Sequence, residues 1–432
     1  MNASYQATDE LTLWWLGQPQ TPVLIGTLRL LRATRGVSLQ YDAAWLRNGF
    51  ALSEDLPLTD LEHNPVERDT AAGAVDDARP DRWGERVIRF VAKPPRLSLL
   101  EYLYFAGDGR FGALGVSASD RTYTPQTSGP LPSLRDVDEI HELVRKVLDN
   151  EPVPESKRRL IAPGTTLGGA RPKGLIETDG AQSVVKFAES GDPTDTPLVE
   201  HACMTLAAKA DIRVAHTRPI RLVDGHAVAV LRFDREGLAA SARRLHAQSA
   251  HVALRAEGSS MGYPELAQLL RRRAPVQQGV ARAQMRELFR RMVFNILMDN
   301  TDDHEKNHVL LMDDAQHLLL APAFDVLPSG QGLGTQQMRV GREGADSTID
   351  NACSEASLFG LSEDEARTEA ALVAKVCGQW KSHFAQAGVS SGDIEYLSQF
   401  IDRDFLLSQR SALAARAPRR APARARKRRS SG

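Results

Sequence analysis

Between Ala281 and Asp325 the sequence changes character twice, and the order of those changes narrows what the chain can fold into. Apolar residues at Met285, Leu288, Phe289, Met292, Val293, Ile296 and Leu297 mark one face of a buried helix. The helix runs into a dense polar cluster, Asp299-Asn300-Thr301-Asp302-Asp303-His304-Glu305-Lys306-Asn307. Two short apolar runs follow, His308 to Met312 and His317 to Leu320, divided by Asp313-Asp314-Ala315-Gln316, which is turn chemistry between strands. A hairpin draws its outer ends together. Asn307 at its entrance and Asp325 just past its exit are therefore expected to be neighbours, with Asp302 close by on the same loop.

That set suits phosphoryl transfer. The reaction needs a carboxylate to orient the attacking hydroxyl, and an amide oxygen and a second carboxylate as hard ligands for magnesium between phosphates. Protein kinases use an Asp, four intervening residues, an Asn and a later metal-binding Asp. Asp302, Asn307 and Asp325 repeat that order. Taken alone, the stretch also reads as a polar loop capping a helix and a hairpin.

Upstream residues extend the pattern. In Thr165-Thr166-Leu167-Gly168-Gly169-Ala170-Arg171-Pro172-Lys173 the small residues let backbone amides approach an anion, and the cations add charge, although no Walker signature is present. Gly174 to Glu177, the turn Thr178-Asp179-Gly180, and Ser183 to Phe187 read as a hairpin carrying Lys186 among apolar neighbours. A helix from Leu198 to Ala210 has Glu200 in its first turn, there either to favour the helix start or to pair with Lys186. A second hairpin, Pro219 to Val223 and Ala227 to Phe233, ends in Arg232-Phe233-Asp234-Arg235, with Leu231 to Phe233 at a hinge between two lobes.

The remainder sets the frame. With 432 residues, 42% of them hydrophobic and 25% charged, the chain is long enough for two or three globular domains. It has no apolar stretch near 18 residues, and Met1 to Glu10 is polar, so a cytoplasmic protein with no membrane partner is expected. Cys203, Cys353 and Cys377 are widely spaced and read as reduced and structural. Residues 1–118 form a strand-rich unit, with strands at Leu11 to Trp15, Val23 to Leu31 and Val37 to Tyr41. The stretches from Asp76 to Gly84 and from Gly107 to Leu114 are read as structural loops. A linker rich in Ser, Thr, Pro and Gly follows, and Ser133 with Asp136 makes a helix-capping box. Residues 119–258 would be a smaller lobe and 259–408 a helical one, with helices at Tyr263 to Arg273, Ala281 to Met298, Glu363 to Ala387 and Ile394 to Gln409. From Arg410 onward there are nine Lys or Arg and no acid, so 409–432 reads as a disordered basic tail able to attract nucleic-acid phosphates.

Taken together, these motifs resemble the HipA family of bacterial serine/threonine kinases, the toxins of HipA and HipB type toxin-antitoxin pairs. The likeness runs from about residue 11 to 405. It rests on Arg79-Pro80-Asp81-Arg82-Trp83-Gly84, Gly107 to Leu114, Gly168 to Lys173, Arg232 to Arg235, Asn300 to Asn307 and Pro322-Ala323-Phe324-Asp325. The resemblance implies a two-lobed, kinase-like α+β fold with an added strand-rich N-terminal subdomain, using ATP and Mg2+. It makes Asp302 the catalytic base, Asn307 and Asp325 the magnesium ligands, and Lys186 the ATP lysine paired with Glu200. Thr166, Gly168, Gly169, Ala170 and Lys173 would line the phosphates, and Leu231, Phe233 and Phe324 the rest of the nucleotide. The regulatory serine of the family corresponds to Thr166, with Thr165 an equally available hydroxyl for autophosphorylation. Leu231 stands where an acidic residue often precedes Arg-Phe-Asp-Arg. Implied partners are a HipB-like antitoxin, DNA through it or through the basic tail, and a protein substrate such as an aminoacyl-tRNA synthetase. A small-molecule kinase and a catalytically silent partner of antitoxin and DNA are the alternatives.

Overall fold

The computed structural model describes residues 5–125, 129–161, 169, 171–239 and 241–414. Thr165, Thr166, Gly168, Ala170 and the basic stretch beyond 414 lie outside the described residues.

The first unit is an antiparallel sheet in the spatial order Gly36–Tyr41, Val23–Leu31, Glu10–Trp15, Leu114–Ser117. Alternation along the strands turns Leu11, Leu13, Leu28, Val37 and Leu39 into one core, and a bulge opposite Leu13 and Trp14 adds Ile25 to it. Gly26 sits in register with Tyr41, and a Cβ there would lie 2.1 Å from the Gln40 carbonyl oxygen, so only glycine lets these strands close. The helix Leu99–Phe105 covers the sheet, its start fixed by a Ser98 and Glu101 capping box.

The stretch from Asp76 to Gly84, expected as a loop, is largely helical. Gly73–Ala78 is a 3-10 turn, and Arg82–Val87 is a short helix whose N-cap Asp81 accepts from the Gly84 amide at 2.8 Å. Helices this short carry too few apolar positions to show a period, which is why the sequence reads as loop.

A second antiparallel sheet follows in the order Lys173–Thr178, Ala181–Phe187, His226–Leu231, Thr217–Arg221. Asp179 and Gly180, both at positive φ, make the two-residue turn of its first hairpin. One face of the sheet, Ile176, Val185, Phe187, Ala227 and Ala229, packs in one apolar cluster with the amphipathic helix Val137–Leu148. The helix Thr196–Lys209 joins the main core instead.

That core is mainly helical. Tyr263–Arg273 and Val280–Leu297 lie as expected. The expected helix from Glu363 to Ala387 is instead two, Glu363–Cys377 and Trp380–Gln386, parted at Gly378. The one from Ile394 to Gln409 is likewise two, Ser391–Ile401 and Asp404–Ala414. The hairpin Val309–Met312 and Leu318–Leu320 gains a third strand, Ala247–Ser249, that its three-residue length concealed. All three cysteines are buried and free. Among the described residues no helix is long and apolar enough to cross a membrane.

Candidate active site

Lys186 lies mid-strand, and strand alternation turns it away from the face that carries Val185 and Phe187. It is 6% exposed. Its Nζ sits 2.7 Å from Glu200 Oε1 and 2.6 Å from Asp325 Oδ1. Glu200 is not in the first helical turn, because the helix begins at Thr196, behind Pro197. Of the two uses open to Glu200, the side chain makes the ion pair with Lys186. Burial opposes the Lys186 charge, yet Asp325 and Glu200 outweigh it and hold the ammonium above its ordinary pKa. The two acids differ: Lys186 overcomes burial at Asp325 and lowers its pKa, whereas burial wins at Glu200 and raises it. One cation thus serves two carboxylates, Glu200 buried and Asp325 half-buried, and Asp325 holds the charge more firmly.

Lys173 begins the neighbouring strand and stands in register opposite Lys186. Two cations across a ladder repel, and each has its own counter-ion. For Lys173, which is 1% exposed, it is Asp81 of the N-terminal unit, with Nζ to Oδ2 at 2.6 Å. Lys173 Nζ also donates to the Gly169 carbonyl at 3.0 Å. Gly169 has φ +84, and a Cβ added there would lie 3.7 Å from both Asp325 Oδ2 and Lys173 Nζ. The described glycine of the loop therefore lies beside both lysine and carboxylate.

The catalytic-type loop is held from below. Asp303 is buried and accepts from the Tyr263 hydroxyl and from His308 Nε2, the latter at 2.7 Å; the His308 interaction outweighs burial and lowers the Asp303 pKa. Asn300 donates to Asn295 Oδ1 at 3.0 Å. Thr301 and Ser329 share a hydroxyl contact of 2.6 Å, which ties the loop to the segment after Asp325. Asp302 itself is exposed. Partial burial raises its pKa, His304 opposes this, and the Asp325 charge adds to it. A carboxylate shifted upward accepts a proton more readily.

Asn307 ends the 3-10 turn Glu305–Asn307 and is buried, and its Oδ1 accepts no hydrogen bond from any described residue. A buried amide oxygen left unsatisfied is costly, so this atom fits a cation. Among the described residues no three His, Cys, Asp or Glu gather as a metal cage. The pair Asn307 and Asp325 fits magnesium, which takes few protein oxygens and completes its shell with water and phosphate.

At the hinge, the amides of Leu231 and Arg232 are bonded to the His216 and Gln182 carbonyls, at 2.8 and 3.0 Å. A main-chain contact through the Leu231 N–H, which the resemblance allows, is thereby taken. The Phe233 ring packs on Phe324, centroids 5.4 Å apart. Arg232-Phe233-Asp234-Arg235 has a second use. Asp234 receives both arginines, at 2.6 and 2.8 Å, and the Gly112 amide at 2.9 Å, while the arginines donate to the Gly109, Arg110 and Gly112 carbonyls. The hinge and the Gly107 to Leu114 loop form one buried clamp.

Two residues near the centre had no role assigned from sequence. His304 lies close enough for its charge to lower the pKa of both Asp302 and Asp325. Asp81 holds Lys173 from 92 residues away in sequence, a pairing no local spacing can signal.

In comparisons with known proteins, residues 165–383 match the HipA-like C-terminal domain and residues 21–117 the HipA N-terminal domain. The fold resembles that of HipA from Shewanella oneidensis MR-1, solved in a complex of the toxin-antitoxin system with HipB and operator DNA. The TM-score is 0.64 at 17% identity, over 93% of this chain and 97% of that one. A second likeness, to the Helicobacter pylori proinflammatory kinase CtkA, has a TM-score of 0.43 at 12% identity, over 58% of this chain and 92% of that one. No curated protein sequence matches the chain.

Proposed function

The chain belongs to the HipA family, and from that premise we propose that it is a serine/threonine protein kinase that transfers the γ-phosphoryl group of ATP, with Mg2+, to a protein hydroxyl. One observation carries this reading: Lys186 bridges Glu200 and Asp325 while the buried Oδ1 of Asn307 stays unsatisfied. Lys186 meets Asp325 across 139 residues of sequence, and this ion pair supports the reading. A catalytically silent partner has no use for that arrangement.

Each group has a task. Lys186, fixed by Glu200, would hold phosphate oxygens, and Lys173 with the Gly169 backbone would cradle them. Asn307 and Asp325 would hold Mg2+, which when bound neutralises charge between phosphates. Asp302 would accept the hydrogen bond of the incoming hydroxyl and take its proton. Phe233 and Phe324 would supply apolar surface to the base.

As a toxin, the protein would pair with a HipB-like antitoxin and reach operator DNA through it, the assembly recorded for the Shewanella protein. Its substrate would be a translation component such as an aminoacyl-tRNA synthetase, and it would also phosphorylate itself at Thr165 or Thr166. The test is incubation with labelled ATP and Mg2+ beside Asp302→Ala, then mass spectrometry of the loop. Phosphate on Thr165 or Thr166 in the wild type alone supports the reading. A dephosphorylated preparation that labels neither itself nor any extract protein would overturn it.

A further inference from the structure

The segment from Asp76 to Gly84 belongs by sequence to the N-terminal unit, yet one end is fastened to Ser249, whose strand pairs with Val309–Met312 beside the catalytic-type loop, and the other to Lys173 of the second sheet. At one end, Asp77 Oδ2 accepts from the Ser249 amide at 2.6 Å and Oδ1 from the Ser249 hydroxyl at 2.7 Å. Ser249 caps the helix Ala250–Ala256. In that helix His251 contacts Glu305 of the catalytic-type loop at 2.8 Å, and the Ala250 amide donates to the His308 carbonyl at 2.7 Å. At the other end Asp81 takes Lys173 Nζ, and the buried Trp83 donates its indole N–H to the Lys173 carbonyl at 2.7 Å. Head group and backbone of Lys173 are both held by one short helix.

The joining piece is short and stiff. From Asp77 to Asp81 the chain spans at most about 14 Å when fully extended. Pro80, buried between them, removes one backbone freedom. Asp76 is itself anchored by the Ala71 amide at 2.8 Å.

We propose that residues 76–84 are a strap that sets the spacing of the phosphate cleft from outside it, with Asp81 the positioning residue for Lys173. The proposal rests on the phosphotransfer reading of the site. Asp81 touches Lys173, so it acts through Lys173 and the Gly169 carbonyl that Lys173 holds. Losing its charge loosens a contact made alike to bound ATP and to the transition state, which appears in KM more than in kcat.

Asp81→Asn is the informative substitution, because the asparagine oxygen keeps the N-cap bond to Gly84 while the amide nitrogen in place of Oδ2 removes both the charge and the acceptor that hold Lys173. Trp83→Phe keeps the ring and removes the bond to the Lys173 carbonyl. In the full chain, steady-state labelling should show KM for ATP raised about ten-fold by Asp81→Asn and about three-fold by Trp83→Phe, with kcat within about three-fold of wild type in both. In a Lys173→Met background Asp81→Asn should add nothing further. Hydrogen exchange without nucleotide should show faster exchange in the strand Lys173–Thr178 and the helix Ala250–Ala256, with the sheet strand Glu10–Trp15 unchanged. An active wild type whose KM neither substitution moves would overturn the strap. A wild type that neither binds nor turns over ATP would sink the kinase reading instead, and unchanged protection at both anchors would then overturn the strap by itself.

Discussion

Lys186 is committed to two carboxylates at once, and its surroundings say what its removal should do. Without the ammonium, the buried Glu200 and the half-buried Asp325 are left with no described partner of opposite charge in contact. Breaking a buried pair from one side typically costs about 3–5 kcal/mol. Lys186→Met should lose that much in urea unfolding, and adding Glu200→Gln should return part of it, because a neutral amide tolerates the site that a carboxylate does not. Equal destabilisation in the single and double variants would show that Glu200 is already neutral beside Lys186. Asp302 gives a kinetic counterpart. Partial burial raises its pKa and His304 holds the rise in check. In the proposed role of base it fails as it is protonated, so the acid limb of kcat/KM should fall as pH drops through that pKa. His304→Gln removes the opposing charge and should move the limb to higher pH. A pH–rate profile that moves the other way would give His304 a different part.

At the scale of elements, helix ends and breaks are set by particular partners. The break between Ser391–Ile401 and Asp404–Ala414 is organised by Asp402, whose carboxylate takes the Trp380 indole N–H at 3.0 Å, Lys381 at 2.7 Å and Arg410. Asp402→Ala should cost about 1–3 kcal/mol, read as a lowered melting temperature. From sequence this region reads as one helix, because two of the partners that fix the break at Asp402, Trp380 and Lys381, come from another helix. The same reason separates what was legible from what was not elsewhere. Asn307 and Asp325 flank a hairpin, a short-range pattern with a geometric consequence. The strands from Lys173 to Phe187 announce themselves through alternation and an Asp-Gly turn. Asp81 with Lys173, and Asp234 with the Gly109 to Gly112 loop, are contacts across about a hundred residues, which no local period encodes. The short helix Arg82–Val87 falls below the length at which periodicity can be read.

For the molecule as a whole, those long-range contacts build the N-terminal unit into the rest of the fold. His246 and Gln248 both reach the Leu52 carbonyl at 2.7 Å, Asp77 and Asp81 form the strap, and Asp234 with its two arginines closes on the Gly107 to Leu114 loop. The last of these offers the sharpest test. Asp234 is wholly buried, and Arg232 and Arg235 overcome that burial and hold its carboxyl below the usual carboxylate range. A depressed folded-state pKa contributes stability that is complete above the unfolded value, about 3.9, and is lost as pH falls through the folded one. Asp234→Asn leaves two buried arginines without their carboxylate and should cost about 3–5 kcal/mol near neutral pH. The gap between wild type and variant in urea unfolding should stay constant from about pH 7 to pH 5 and narrow only below about pH 4, where the unfolded wild type begins to bind the proton its folded form refuses. A gap that closes between pH 7 and pH 5 would mean that Asp234 is not ionised in the clamp. The N-terminal unit would then be held to the hinge by the arginine–carbonyl bonds alone.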